Sequence, residues 1–223
     1  MSPTTTTTTQ EEEAAPRPRK ARAARGDTRM ALIRCGTEMC TERGFRVTGI
    51  DEVLKRVGVP KGSFYHFFAS KHEFGEAVIR NYAEYFQRKL DRHLGDASRA
   101  PLQRLRDFIG EARRGMEKFD FQRGCLVGNL GQELGGLNDS FRQQLEDVLL
   151  SWQASTAQCL RDAAAAGELP EGADADALAA FFWIGWEGAI LRAKLTRSAQ
   201  PLQLFADLFF VLLDNTRKEN PHV

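Results

Sequence analysis

The sequence predicts an all-α protein built as a small three-helix head followed by a larger helical body. Three observations carry that expectation. Apolar residues recur at helical spacing in one segment after another, and no run of alternating β-branched residues appears. Gly, Pro and capping residues punctuate those segments at helix-length intervals. The chain has 223 residues, 42% of them hydrophobic, which suffices for one small and one medium core.

In the head, the spacing predicts a first helix from Asp27 to Arg43, with Ala31, Leu32, Cys35, Met39 and Cys40 inward and Gly44 closing it. Thr48-Gly49-Ile50-Asp51 opens a second: Thr48 is expected to cap it, and Asp51 suits the positive end of the helix dipole. Ile50, Val53, Leu54 and Val57 form its apolar face. Gly58 then turns the chain at positive φ, and Pro60 suits a helix start. The short third segment, Pro60 to Phe68, sends Phe64, Phe67 and Phe68 to the core. Lys61, Gly62, Ser63, Tyr65 and His66 remain on the other side, offering donors and close backbone approach to phosphates and base edges. Ser70-Lys71-His72-Glu73 is a capping box that starts a long helix reaching about Leu94. Two short helices and a tight turn of this kind read as a helix-turn-helix whose second helix enters the major groove.

Residues 28 to 80 resemble the DNA-binding domain of the tetracycline-repressor (TetR) family, and GVPKGSFYHFFASKHEF follows that family's signature without a gap. Phe67 and Ala69 depart from it, the first removing a phosphate donor and the second a basic residue. The candidate DNA-contacting residues are Thr48, Lys61, Gly62, Ser63, Tyr65, His66 and Lys71; Lys71 sits where family members contact a phosphate, beside a helix N-terminus. The resemblance implies a transcriptional repressor with an all-α TetR-like fold that binds a palindromic double-stranded operator as a homodimer.

The organisation expected is a disordered basic arm over residues 1–26, the helix-turn-helix domain over 27–74, a ligand-binding and dimerisation domain over 75–217, and a tail over 218–223. Arg17, Arg19, Lys20, Arg22 and Arg25 give the arm five basic residues with no acid among them, suited to phosphates or a minor groove. Charge is uneven: residues 1–92 carry 17 Lys and Arg against 12 Asp and Glu, and residues 93–223 carry 14 against 18. That is the balance of a DNA-reading head on a body that does not bind DNA. No apolar run reaches the length of a membrane span and the N-terminus is no signal segment, so a soluble cytoplasmic protein is expected. Cys35, Cys40, Cys125 and Cys159 show neither metal nor disulfide spacing, and no cofactor or metal is expected. Catalysis by Cys125 is disfavoured: His93 and His222 are the body's histidines, and neither has a visible orienting partner.

The body begins after Gly95, with a helix from Pro101 to Phe119. Residues 121–141 follow, with Gly124, Gly128, Gly131, Gly135 and Gly136, a pattern that fits a packed or ligand-lined segment better than a solvated one. Asn138 or Asp139 caps a helix running to Ala166, Asp174 starts the next, and Pro201 starts the last. These last two helices are apolar on more than one face. In the TetR family the corresponding pair makes a four-helix bundle with its twin.

Within that family, GCLVGNLGQE and FWIGWEGAILRAK resemble a subgroup of repressors released by acrylate or by electrophiles such as N-ethylmaleimide. The resemblance places Cys125 at the sensing cysteine, and the alternative reading is a redox- or electrophile-sensing repressor that uses Cys125 against aldehydes, quinones or hypochlorite. Tyr82, Trp183 and Trp186 are candidates for the walls of a small cavity; Asn129, Gln132, Glu133 and Glu187 for its polar groups; and Arg123, Arg192 and Lys194 for a carboxylate's cation. Cys125 lies at a helix start expected to lower its pKa. The two tryptophans equally fit plain core or dimer contacts, and Cys125 a small packing residue.

Overall fold

The computed structural model describes residues 19–170 and 172–218, and among these every regular element is helical. The chain runs through α1 (Arg19–Arg43), α2 (Ile50–Val57), a 3₁₀ helix (Lys61–His66), α3 (Lys71–Leu94), α4 (Pro101–Glu117), α5 (Leu126–Leu134), α6 (Asp139–Ala165), α7 (Ala175–Thr196) and α8 (Gln200–Lys218). Of the segments expected to be unstructured, Arg17, the residues before it and the end of the tail, 219–223 with His222, lie outside the described residues.

Two boundaries differ from expectation. Helix α1 starts at Arg19, eight residues before Asp27, because the Ala- and Arg-rich segment that precedes Asp27 is a strong helix former and extends the helix instead of leaving an arm there. The segment after Pro60 is a six-residue 3₁₀ helix, too short for α-helical cooperativity.

The head closes around phenylalanines. Phe64, Phe68 and Phe74 are all buried, with ring centroids 5.0–5.7 Å apart. This fixes the 3₁₀ helix against the start of α3 and leaves its other face outward. Gly58 ends α2 at φ 72, as its missing side chain allows. Ser70 caps α3 by accepting from the Glu73 N–H at 3.1 Å, while the Glu73 carboxylate accepts from the Ala69 N–H at 2.6 Å.

Helix α3 leaves the head and enters the body, where it packs with α4, α6 and α7 around Trp152. Phe86 lies 4.2 Å and Trp183 5.1 Å from the Trp152 ring. Trp183 donates its indole N–H to the Thr156 hydroxyl at 2.9 Å, so this tryptophan is a satisfied core residue. The glycine-rich stretch folds as α5, with Leu126, Val127, Leu130 and Leu134 buried.

Helices α7 and α8 bury one side against the body and leave another bare. Phe181, Ile184, Leu191 and Leu195 on α7, and Leu204, Leu208, Val211 and Leu212 on α8, are exposed, Ile184 to 76%. So many large apolar groups along a helix pair amount to an unpartnered surface.

Candidate functional site

The outward face of the 3₁₀ helix carries Lys61, Gly62, Ser63, Tyr65 and His66. Tyr65 is 73% exposed although its ring edge meets Phe64, so its hydroxyl is presented to solvent on a fixed base. Lys61 is fully exposed, and its Nζ lies 2.7 Å from Asp51. DNA phosphates compete readily with such a surface pair.

Two expected contacts are placed differently. Thr48 is fully buried: its hydroxyl donates to the Gly44 carbonyl at 2.6 Å and the Cys40 thiol points at it. Gly49, in extended backbone, occupies the cap of α2 with no side-chain bond, so Thr48 neither caps α2 nor offers its side chain to DNA. Lys71 is the first residue of α3, yet its Nζ donates to the Arg46 carbonyl at 3.0 Å and sits over the Phe45 ring. It ties the loop between α1 and α2 to α3.

Behind the head lie two cavities that share Gly124, Cys125 and Ile190. The smaller, about 580 Å³, is lined by Cys125, Asn129, Gln132, Glu133, Glu187 and Lys194 among others. The larger, about 730 Å³, is lined by Tyr82, Phe86, Lys89, Arg123, Cys125 and Trp186 among others. Nine of the eleven expected ligand residues therefore line one or other space, and Trp183 and Arg192 line neither.

Several of those groups are engaged with the head. The Thr41 carbonyl, near the C-terminal end of α1, accepts from the Gly124 N–H at 3.2 Å, from Asn129 Nδ2 at 3.0 Å and from Lys194 Nζ at 3.1 Å; Lys194 also donates to the Glu42 carbonyl at 2.9 Å. Carbonyls at a helix end lack intrahelical donors and carry the negative end of the dipole, which explains an amide and an ammonium there. Glu133 completes the seam. Its carboxylate accepts from the Phe45 N–H at 2.7 Å and the Arg46 N–H at 2.6 Å. Gly44, at φ 93, makes that approach possible, since a Cβ there would stand 2.7 Å from Glu133 Oε2. Arg123 is paired with Glu42 at 2.9 Å, with Glu38 3.7 Å away.

The thiol of Cys125 departs from expectation. Cys125 occupies the N-cap position of α5 without a side-chain capping bond, and burial pushes its pKa well above the usual 9.0, with the neighbouring Glu187 charge adding to that. Backbone N–H groups of α5 act in the opposite sense and are outweighed. Desolvation wins over the helix dipole, so the resting thiol is protonated and poorly nucleophilic. Burial likewise pushes the Glu187 carboxyl up to about 7, with a hydrogen bond from Cys125 acting against it. Glu187 Oε1 is buried without a partner among the described residues, and Oε2 occupies the space a Cβ on Gly128 would take, at 2.1 Å.

That raised pKa has a definite sign. The folded chain holds a proton on Glu187 that the unfolded chain, with the ordinary value of 4.5, releases. Stability is therefore expected to fall as pH rises from about 4.5 to about 7 and to level off above. Glu187→Gln removes this component: its thermal midpoint should gain on the wild type between about pH 5 and about pH 8. An identical difference at both pH values would mean the carboxyl is already ionised in the acid range.

Sequence reasoning missed Lys89. It is buried on α3, its Nζ 3.1 Å from Glu111, whose other oxygen is hydrogen-bonded to His93. His93, expected to lack an orienting partner, has one in Glu111. Burial pushes the Glu111 carboxyl up, but His93 and Lys89 more than offset this and hold it below the usual range. The signal was a lysine at a position where the apolar stripe of α3 passes. Among the described residues, no three His, Cys, Asp or Glu side chains gather as a metal site, and no helix is long and apolar enough to cross a membrane.

Comparison with known proteins agrees with the geometry. Residues 32–78 match the bacterial regulatory proteins of the tetR family, and residues 101–209 match the tetracyclin repressor-like C-terminal domain. The chain is 55% identical over 179 residues to the transcriptional regulator AcuR of Cereibacter sphaeroides, covering 80% of this chain and 82% of that one. It is 34% identical over 190 residues to the HTH-type transcriptional repressor DhaR of a Mycobacterium species, covering 85% and 94%. The crystal structure of the regulatory protein TetR from Rhodobacter sphaeroides superposes with a TM-score of 0.79 at 54% identity, covering 82% of this chain and 96% of that one. The chain belongs to the TetR family of transcriptional repressors, DNA-binding helix-turn-helix regulators and not enzymes.

Proposed function

We propose that this repressor binds a near-palindromic operator as a homodimer and is released by a small ligand, most plainly acrylate or a related unsaturated acid. In this reading residues 27–74 read DNA through Lys61, Gly62, Ser63, Tyr65 and His66, and residues 75–217 bind the ligand and dimerise. The bare apolar faces of α7 and α8 support a dimer of the four-helix type. Two reading helices held about one DNA turn apart then meet successive major grooves.

The observation that carries the mechanism is the seam. Asn129, Glu133 and Lys194 line the smaller cavity and at the same time hold the end of α1 and the loop after it. A ligand that shifts α5 or α7 shifts the footing of the head. Release then follows as a population shift: moving the dimer from almost wholly bound to almost wholly free needs a ligand preference of about 10⁴-fold for the released conformation. Acrylate as the effector rests on the likeness of the 124–133 and 181–194 segments to acrylate-responsive members of the family. The high thiol pKa supports non-covalent binding, with Cys125 as part of the wall.

The test is fluorescence anisotropy on DNA upstream of the protein's own gene, with acrylate titrated into wild type and Cys125→Ser. Both should leave the operator at similar acrylate concentrations. Loss of the response in Cys125→Ser would establish covalent sensing, and binding that no acrylate concentration relieves would remove acrylate as effector.

A further inference from the structure

The larger cavity has apolar walls in Tyr82, Phe86, Met116 and Trp186, and both cationic residues and the carboxylates Glu38 and Glu84 line it as well. A carboxylate brought into such a space needs a buried cation whose present partner stays paired when the cation leaves it. The three expected from sequence are poorly suited. Arg123 is held by Glu42 and Glu38. Lys194 is held by the carbonyls of α1 and faces the other cavity. Arg192 is exposed and lines neither space.

Lys89 differs. It is 8% exposed, lines the larger cavity, and among the described residues its ion pair is with Glu111. Glu111 itself has a second partner in His93. An ammonium taken from Glu111 therefore leaves that carboxylate paired, so the exchange strands no buried charge. Trp186 supplies an independent observation. Trp186 is 1% exposed and lines the same cavity, and its indole N–H has no acceptor among the described residues. A buried donor without an acceptor calls for one from a ligand or a water.

We infer that Lys89 receives the carboxylate of a small monocarboxylic acid in the larger cavity, displacing the internal anion Glu111, with the Trp186 N–H as a further donor. This rests on the effector reading above and gives it an address: the acid's charged end lies toward α3 and α4, its short apolar tail against Tyr82 and Phe86. Glu111 acts as a built-in competitor, which tunes the response to the free acid concentration.

The experiment is calorimetric titration of the full-length protein with acrylate and with its uncharged isostere acrylamide, alongside operator release. Wild type should bind acrylate more tightly than the amide. Lys89→Met should weaken acrylate by about 10–100-fold, the worth of a charge-assisted hydrogen bond, and leave the amide unchanged. Glu111→Gln should tighten acrylate, because it removes the competing carboxylate; a merely structural pair would lose affinity in both variants. The double variant Lys89→Met/Glu111→Gln deletes both charges together and guards against misfolding of the single one. If it folds and binds acrylate as the wild type does, the inference is overturned while the effector reading stands. If wild type neither binds acrylate nor leaves the operator with it, the effector reading fails, and the Lys89 site for this acid fails with it.

Discussion

Leu208→Asp is expected to convert the protein to a monomer and to weaken operator binding by about 10²–10⁴-fold, the advantage that linking two half-site contacts confers. Leu208 is 61% exposed on α8, flanked by Leu204, Val211 and Leu212 on the same helix and facing solvent with Phe181, Ile184 and Leu191 of α7. In a two-fold bundle the same residue occurs twice, so the substitution places two carboxylates in one apolar interface, each without a buried partner. The isolated chain loses nothing, since Leu208 contributes little to its own core. Sedimentation velocity together with operator anisotropy checks the prediction, and Leu208→Ala serves as a mild control. A variant that still sediments as a dimer and binds operator normally would place the dimer interface elsewhere.

Glu133→Ala is expected to uncouple the body from the head. Its carboxylate makes two short hydrogen bonds to the backbone N–H groups of Phe45 and Arg46, at 2.7 and 2.6 Å. Bonds to a charged group contribute about 1.5–3 kcal/mol each, and the Arg46 side of this pair is exposed, so a loss of about 3 kcal/mol is a fair expectation. For a chain of this size that lowers the thermal midpoint by about 6–12 °C. The functional consequence is more specific. Effector binding should persist, because the larger cavity is untouched, while the ratio of operator affinities without and with effector collapses toward one. Glu133→Gln keeps one acceptor oxygen and should fall between. An intact ratio in Glu133→Ala would assign transmission to α3, the helix that runs unbroken from head to body.

How much of this was legible beforehand follows from range. Local chemistry was readable: Gly58 at positive φ, Ser70 accepting from the Glu73 N–H while Glu73 accepts from the Ala69 N–H, Asn138 accepting from the Phe141 N–H at 3.0 Å, and Asp174 from the Ala177 N–H at 2.9 Å are settled by residues a few positions apart. So were the all-helical class and the outward donors of the 3₁₀ helix, since the positions of Phe64 and Phe68 decide which side faces in. The sequence by itself therefore determined the helical elements, which face of the 3₁₀ helix is turned outward, and the family.

The tertiary structure decided what each polar group near the cavities does. Asn129, Glu133 and Lys194 look like ligand groups in the sequence, yet their partners lie 88, 87–88 and 152–153 positions away, at the end of α1 and in the loop after it. Thr48 has the chemistry of a cap, but the Gly44 carbonyl takes its hydroxyl. Cys125 sits at a helix start, yet its pKa follows its burial and Glu187, 62 positions on, and not the dipole of α5. Lys89 lies on the apolar stripe of α3, and only α4 brings Glu111 to it as a partner. Hydrogen bonds, ion pairs and desolvation depend on which groups end within a few ångströms of each other, and for groups far apart in the chain only the packing of the helices fixes that.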